Sequence, residues 1–81
     1  MNNQANNRPL HEIAQEIKKD WKNINYGAKP YLEAMGGLNK ITDVYGQDSA
    51  KMIVNYFLCN ASGYRGETAK RIKAELKAMA K

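Results

Sequence analysis

From Leu10 to Ile24 the apolar side chains stand at Leu10, Ile13, Ala14, Ile17, Trp21 and Ile24. Steps of three and four residues put them on one face of an α-helix, and that face has to be buried against the rest of the chain. The same rhythm returns twice. Tyr31, Ala34, Leu38, Ile41 and Tyr45 keep it after Pro30, and Arg65, Ala69, Ile72, Leu76 and Met79 keep it near the C-terminus. Between these two, Met52, Ile53, Val54, Tyr56, Phe57, Leu58 and Cys59 leave little polar surface, the pattern of a helix set in the middle of a molecule. No segment alternates with period two, so no strand is offered to pair with that run.

The helix-end signals give four helices, about 8–24, 30–45, 49–60 and 63–80. Asn7 is read as the cap of the first, with Pro9 tolerated in its first turn, and Pro30 opens the second. Gly46 follows the second as a C′ residue, while Gly36-Gly37 in its interior costs up to ~1 kcal/mol per glycine and could bend it. Asp48 is read as the cap of the third helix and Ser62 as that of the fourth, after the turn Asn60 to Gly63. The Arg65 stem is expected to pack at the bundle end with its guanidinium at the rim. Four stripes joined by short connections predict an all-α fold, a compact four-helix bundle over residues 8–81. Residues 1–7, mostly Asn and Gln, are expected to form a flexible, disordered tail.

Eighty-one residues suffice for one modest core. A single cysteine, Cys59, and a single histidine, His11, leave no ligand cluster for a structural zinc and no internal disulfide, so no metal or other cofactor is expected. Cys59, among apolar neighbours, reads as a small buried hydrophobe, and His11 as a solvated side chain with no nucleophile nearby. No apolar run is long enough to span a bilayer, and MNNQANNRPL lacks the basic-then-apolar order of a secretory leader. A cytoplasmic protein that does not engage membranes is expected.

Charge is unevenly distributed. Up to residue 48, Arg8, Lys18, Lys19, Lys22, Lys29 and Lys40 balance Glu12, Glu16, Asp20, Glu33, Asp43 and Asp48. Beyond it, Lys51, Arg65, Lys70, Arg71, Lys73, Lys77 and Lys81 face only Glu67 and Glu75, so the formal +5 arises entirely in the last third. Lys70, Lys73, Lys77 and Lys81 recur at three and four residues and share one side of the last helix. Cations so spaced can follow phosphates and release counterions. The plainer reading is a solvated face that also complements the negative end of the helix macrodipole.

Taken together, Ile17-x-x-Asp20-Trp21-x-Asn23, Ala28-x-Pro30-Tyr31-Leu32-Glu33-Ala34-Met35, the run from Tyr45-Gly46-x-Asp48-Ser49-Ala50 through Tyr56-Phe57-Leu58-x-Asn60-Ala61, and Arg65-Gly66-Glu67-x-Ala69-x-x-Ile72-Lys73-x-Glu75-Leu76-Lys77 resemble a family of small helical proteins carried by phages, plasmids and other mobile elements. The resemblance covers nearly all of the chain after residue 7. It implies a mobile-element setting and supplies no catalytic or binding residue. The chain departs from the family pattern at Tyr64, where Trp is expected, and at Gly36-Gly37.

Other constellations carry less. Helix three, the Asn60–Gly63 turn and helix four could form a helix-turn-helix with Tyr64, Arg65, Glu67, Thr68 and Arg71 toward a groove, yet any two helices joined through glycine look alike. Tyr64-Arg65-Gly66-Glu67 could hold a partner or a nucleotide, or simply start a helix. Trp21 and Tyr31 belong to packed stripes, leaving Tyr26 as the best exposed aromatic. Asp43 and Asp48 lack the density of a calcium loop and read as turn and cap residues. No acid-base pair or phosphate-cradling glycine loop is present, so an enzyme is not expected. The expected function is that of a non-enzymatic accessory protein binding nucleic acid through Lys70, Lys73, Lys77, Lys81, Arg71, Arg65 and Tyr64. The alternative is a protein-protein interaction module, a small inhibitor or adaptor docking on an acidic host surface. Oligomeric state is left open, because Leu32 and the Ala74/Ala78 strip could each be surface or interface.

Overall fold

The computed structural model describes residues 8–81; the tail and the Asn7 cap expected for 1–7 lie outside the described residues. Four helices are present, α1 (Leu10–Asp20), α2 (Lys29–Met35), α3 (Ala50–Cys59) and α4 (Glu67–Met79), and a two-stranded antiparallel hairpin, β1 (Val44–Tyr45) and β2 (Asp48–Ser49), precedes α3. The fold is therefore mainly helical but not purely all-α.

The core is the sum of the helical stripes. Leu10, Ile13, Ala14 and Ile17 of α1, Leu32, Ala34 and Met35 of α2, Ala50, Ile53, Val54 and Phe57 of α3, and Ala69, Ile72 and Leu76 of α4 are all buried in one cluster. Leu32 is thus a core residue and not an interface. One end of the cluster is aromatic. The Trp21 ring stacks on Tyr64 at 5.0 Å between centroids and meets the edge of Phe57 at 6.3 Å.

Every expected helix exists, but the ends differ. α1 stops at Asp20 instead of 24 because Trp21 turns to an extended backbone to bring its ring into the core. The Asn-rich loop that follows is held by its own amides: Asn25 accepts from the Gly27 N–H and donates to the Asn60 carbonyl at 2.9 Å. α2 ends at Met35, so the helix expected through 45 is broken at Gly36-Gly37, where local carbonyls of Leu32, Glu33 and Ala34 take the last N–H groups. The chain released there has a use. The carbonyls of Asn39 and Leu38 accept the free first-turn N–H groups of Leu10 and His11, each at 2.9 Å, and so cap α1. The His11 side chain is half-buried at this junction rather than solvated.

The Asp43 carboxylate fastens the same loop by accepting from the Asn39 and Lys40 N–H groups, at 3.0 and 2.9 Å. These two bonds, that from Lys40 foremost, hold its pKa below the ordinary aspartate value. Gly46, expected to close a helix, instead occupies the first position of the two-residue hairpin loop at φ +65°, the position a type II′ turn reserves for glycine. Asp48 then lies in β2, and the cap of α3 is Ser49, whose Oγ accepts from the Met52 N–H at 3.1 Å. α4 starts at Glu67 and not at 63: Gly66 precedes it at φ +113°, and Ser62 makes no cap. The connection from α3 to α4, Asn60 to Gly66, is too long for the three- to four-residue turn of a helix-turn-helix.

Candidate nucleic-acid interface

α4 emerges from Gly66 with its first-turn N–H groups uncapped by any side chain, and Ala69, Ile72 and Leu76 fix its rotation by facing the core. That rotation sends Lys70, Lys73 and Lys77 to one flank. Arg65, in the segment just before the helix, joins them. With Gly66 and Ala74 they surround a shallow depression of about 460 Å³ whose floor includes Tyr64. The small side chain of Ala74, one turn from both Lys70 and Lys77, leaves the space between the ammonium groups open.

Arg65 is exposed, and the inward position foreseen for its stem is filled by Tyr64, which is 1% exposed. An aromatic ring stacked on Trp21 buries more apolar area there than an arginine stem could. Among the described residues the Tyr64 hydroxyl has no hydrogen-bond partner. Burial raises its pKa well beyond the ordinary phenol range, and the nearby Asp20 carboxylate adds to the effect, so the group stays protonated. Lys73 Nζ stands over the Tyr64 ring, 5.9 Å from its centroid, within reach of a cation–π attraction. Burial lowers the Lys73 pKa, and the charges of Arg65 and Lys77 push the same way. Among the described residues no carboxylate pairs with Arg65, Lys70, Lys73 or Lys77. The depression is a concentration of positive charge with no ion-pair partner among the described residues.

Arg71, expected beside the lysines, is on the other flank. It donates to Glu16 of α1, and Arg8 spans from Glu16 to Glu75, giving both Nε and Nη2 to Glu75 at 3.0 and 2.8 Å. Arg8 Nη1 lies 2.9 Å from the other Glu16 oxygen, an ion pair without hydrogen-bond alignment. Arg71 foremost, then Arg8, hold the Glu16 pKa below its usual value, while the Glu75 bond keeps the Arg8 guanidinium charged at any accessible pH. Lys81 follows the end of α4, exposed, and does not line the depression. Of the seven residues foreseen, five are brought together and Tyr64 among them is a floor, not a contact. Gly66 and Ala74 complete the site; the glycine in Tyr-Arg-Gly-Glu was its only sequence signal.

No protein-family model matches this chain, and no curated protein or solved structure matches it. The site is therefore assessed on its own chemistry. A second cleft, about 470 Å³ between Arg8, Pro9, the 39–42 loop and Ala78-Met79, offers Lys40 as its one cation outside the ion-pair network. Among the described residues no three His, Cys, Asp or Glu side chains are grouped to hold a metal ion, and no helix is long and apolar enough to cross a membrane. Cys59, expected inside, is exposed on the far side of α3.

Proposed function

We propose that this protein is a non-enzymatic accessory factor that binds nucleic acid through the phosphate backbone, with Arg65, Lys70, Lys73 and Lys77 as the contacts. A mobile-element setting, as the sequence resemblance implies, is part of the same proposal. The observation that carries it is the convergence on one depression of four cations that have no carboxylate partner among the described residues. Their mutual repulsion is relieved by a polyanion, which displaces condensed counterions as it binds. Protein docking on this surface is less well supported, because the only aromatic there is buried and the rest of the lining is glycine, alanine and cations, without a hot-spot anchor. With Tyr64 and Trp21 stacked on each other, no ring is free beneath the cations to receive a base. Binding is thus sequence-independent.

Affinity for an arbitrary DNA duplex, followed by fluorescence anisotropy, is expected to fall with salt at a logarithmic slope of about −3 to −4, as four neutralised phosphates require. Changing Lys70, Lys73 and Lys77 together to Gln is expected to reduce that slope to about −1 while the circular dichroism spectrum is retained. Undetectable binding at low salt, or a slope unchanged in the triple variant, overturns the proposal.

A further inference from the structure

α3 turns Ala50, Ile53, Val54 and Phe57 inward, which leaves Met52, Asn55, Tyr56 and Cys59 on its outer side. Met52 is 41% and Tyr56 44% exposed, large values for such residues. Tyr31 of α2 leans on Tyr56 with ring centroids 5.4 Å apart, and Tyr45 of the hairpin, 49% exposed, has its ring beside Gly37, just past the other end of α2. Tyr45, Met52, Tyr56 and Tyr31 form an apolar strip along α2 and α3. Glu33 does not border it, since it turns toward Lys18 of α1.

The one charged residue of α3, Lys51, is placed against the helix's own macrodipole. Lys51 stands in the first turn, where no acidic residue accompanies it, and the last turn holds no basic residue. A second α3 running the opposite way corrects both ends, because each Lys51 then approaches the carbonyl end of the other helix. The strip is also self-complementary in this arrangement. With a two-fold axis near Asn55 and Tyr56, Met52 of one copy meets the Cys59 end of the other, and the two Asn55 amides can donate to and accept from each other.

We propose that this strip is the interface of a two-fold homodimer in which the α3 helices of two copies pack antiparallel. Three half-exposed side chains, Tyr45, Met52 and Tyr56, and the partly buried Tyr31 supply roughly 300 Å² of apolar contact per copy. The rim of Lys51, Asn55 and Cys59 brings the surface to roughly 500–600 Å² per copy, at the lower margin of specific interfaces, so a weak and reversible dimer is expected. The two Cys59 residues lie on the order of 10 Å apart along the helix axes, too far for a disulfide. The proposal is independent of the α4 depression.

Sedimentation velocity on the full chain from micromolar to several hundred micromolar is expected to show a monomer–dimer equilibrium. Met52→Glu is expected to weaken it by more than about tenfold, with the far-UV spectrum unchanged. In a Cys59→Ser background, Asn55→Cys is expected to crosslink under mild oxidation faster than Lys51→Cys, because position 55 lies near the axis. A monomer at every concentration overturns the interface, whether or not another protein uses the strip. So does a dimer indifferent to Met52→Glu. Faster crosslinking at position 51 overturns the antiparallel arrangement.

Discussion

The two flanks of α4 carry the same kinds of residue to different ends. On one, Arg71 and Glu75 meet Glu16 and Arg8, so charge is spent inside the molecule to tie α1, α4 and the start of the domain together. On the other, Arg65, Lys70, Lys73 and Lys77 have no carboxylate within ion-pair distance among the described residues. Two acids of this neighbourhood, Glu16 and Glu75, face the paired flank. The separation teaches that a basic helix is not uniformly available: the arginine foreseen beside the lysines is structural, and Glu16 and Glu75 are engaged on its side of the helix and not on theirs.

The comparison can be broken or sharpened experimentally. The largest effect is expected from Trp21→Ala, which removes the ring supporting Tyr64 and hence the floor shared by both flanks. A loss of about 3–5 kcal/mol in urea unfolding is expected, and a loss below 1 would mean that the aromatic end is not integral to the core. Next comes Glu75→Gln on the paired flank, which takes away a bidentate arginine partner at a half-buried site. A loss of about 1 kcal/mol is expected with duplex affinity changed little, and a large rise in affinity would show that Glu75 screens the lysines after all.

A pH series separates the flanks further. The Glu16 pKa is held below the ordinary 4.5, so its contribution is full above that value and is lost as pH falls through the lowered one. Glu16→Gln is therefore expected to be less stable than the parent at neutral pH, with the gap closing in acid. A gap constant down to the acid transition would remove the ion pairs as its cause. The smallest effect belongs to the open flank. Changing Lys70, Lys73 and Lys77 to Gln should alter thermal stability by no more than about 0.5 kcal/mol, since those side chains hold nothing together.

How much was legible follows the range of each signal. The inner faces of α1, α3 and α4 were readable because a three-four rhythm is written in consecutive residues. The ends were less so. Gly36-Gly37 marked the break of α2, yet the continuing rhythm through Leu38 and Ile41 masked it, since Leu38 is buried as a loop residue and Ile41 packs against the core without a helix. Tyr45-Gly46-Gln47-Asp48 held a hairpin turn, but two-residue strands are too short for an alternation to be seen. The outer side of α3 was read as buried from its composition, whereas in a domain this small even a helix packed on α2, α4 and the hairpin keeps one side to solvent.

For the site, sequence alone determined which cations share the α4 arc, because helical phase is a local property. It did not determine which are free. Arg8 with Glu75 and Arg71 with Glu16 are 67 and 55 residues apart, and only the docking of α1 on α4 brings them within hydrogen-bond range. The choice of Tyr64 over Arg65 for the core was likewise made by tertiary packing, through the presence of Trp21 to stack against. A charge is read residue by residue, but its partner is set by distance in space, and distance exists only once the chain has closed.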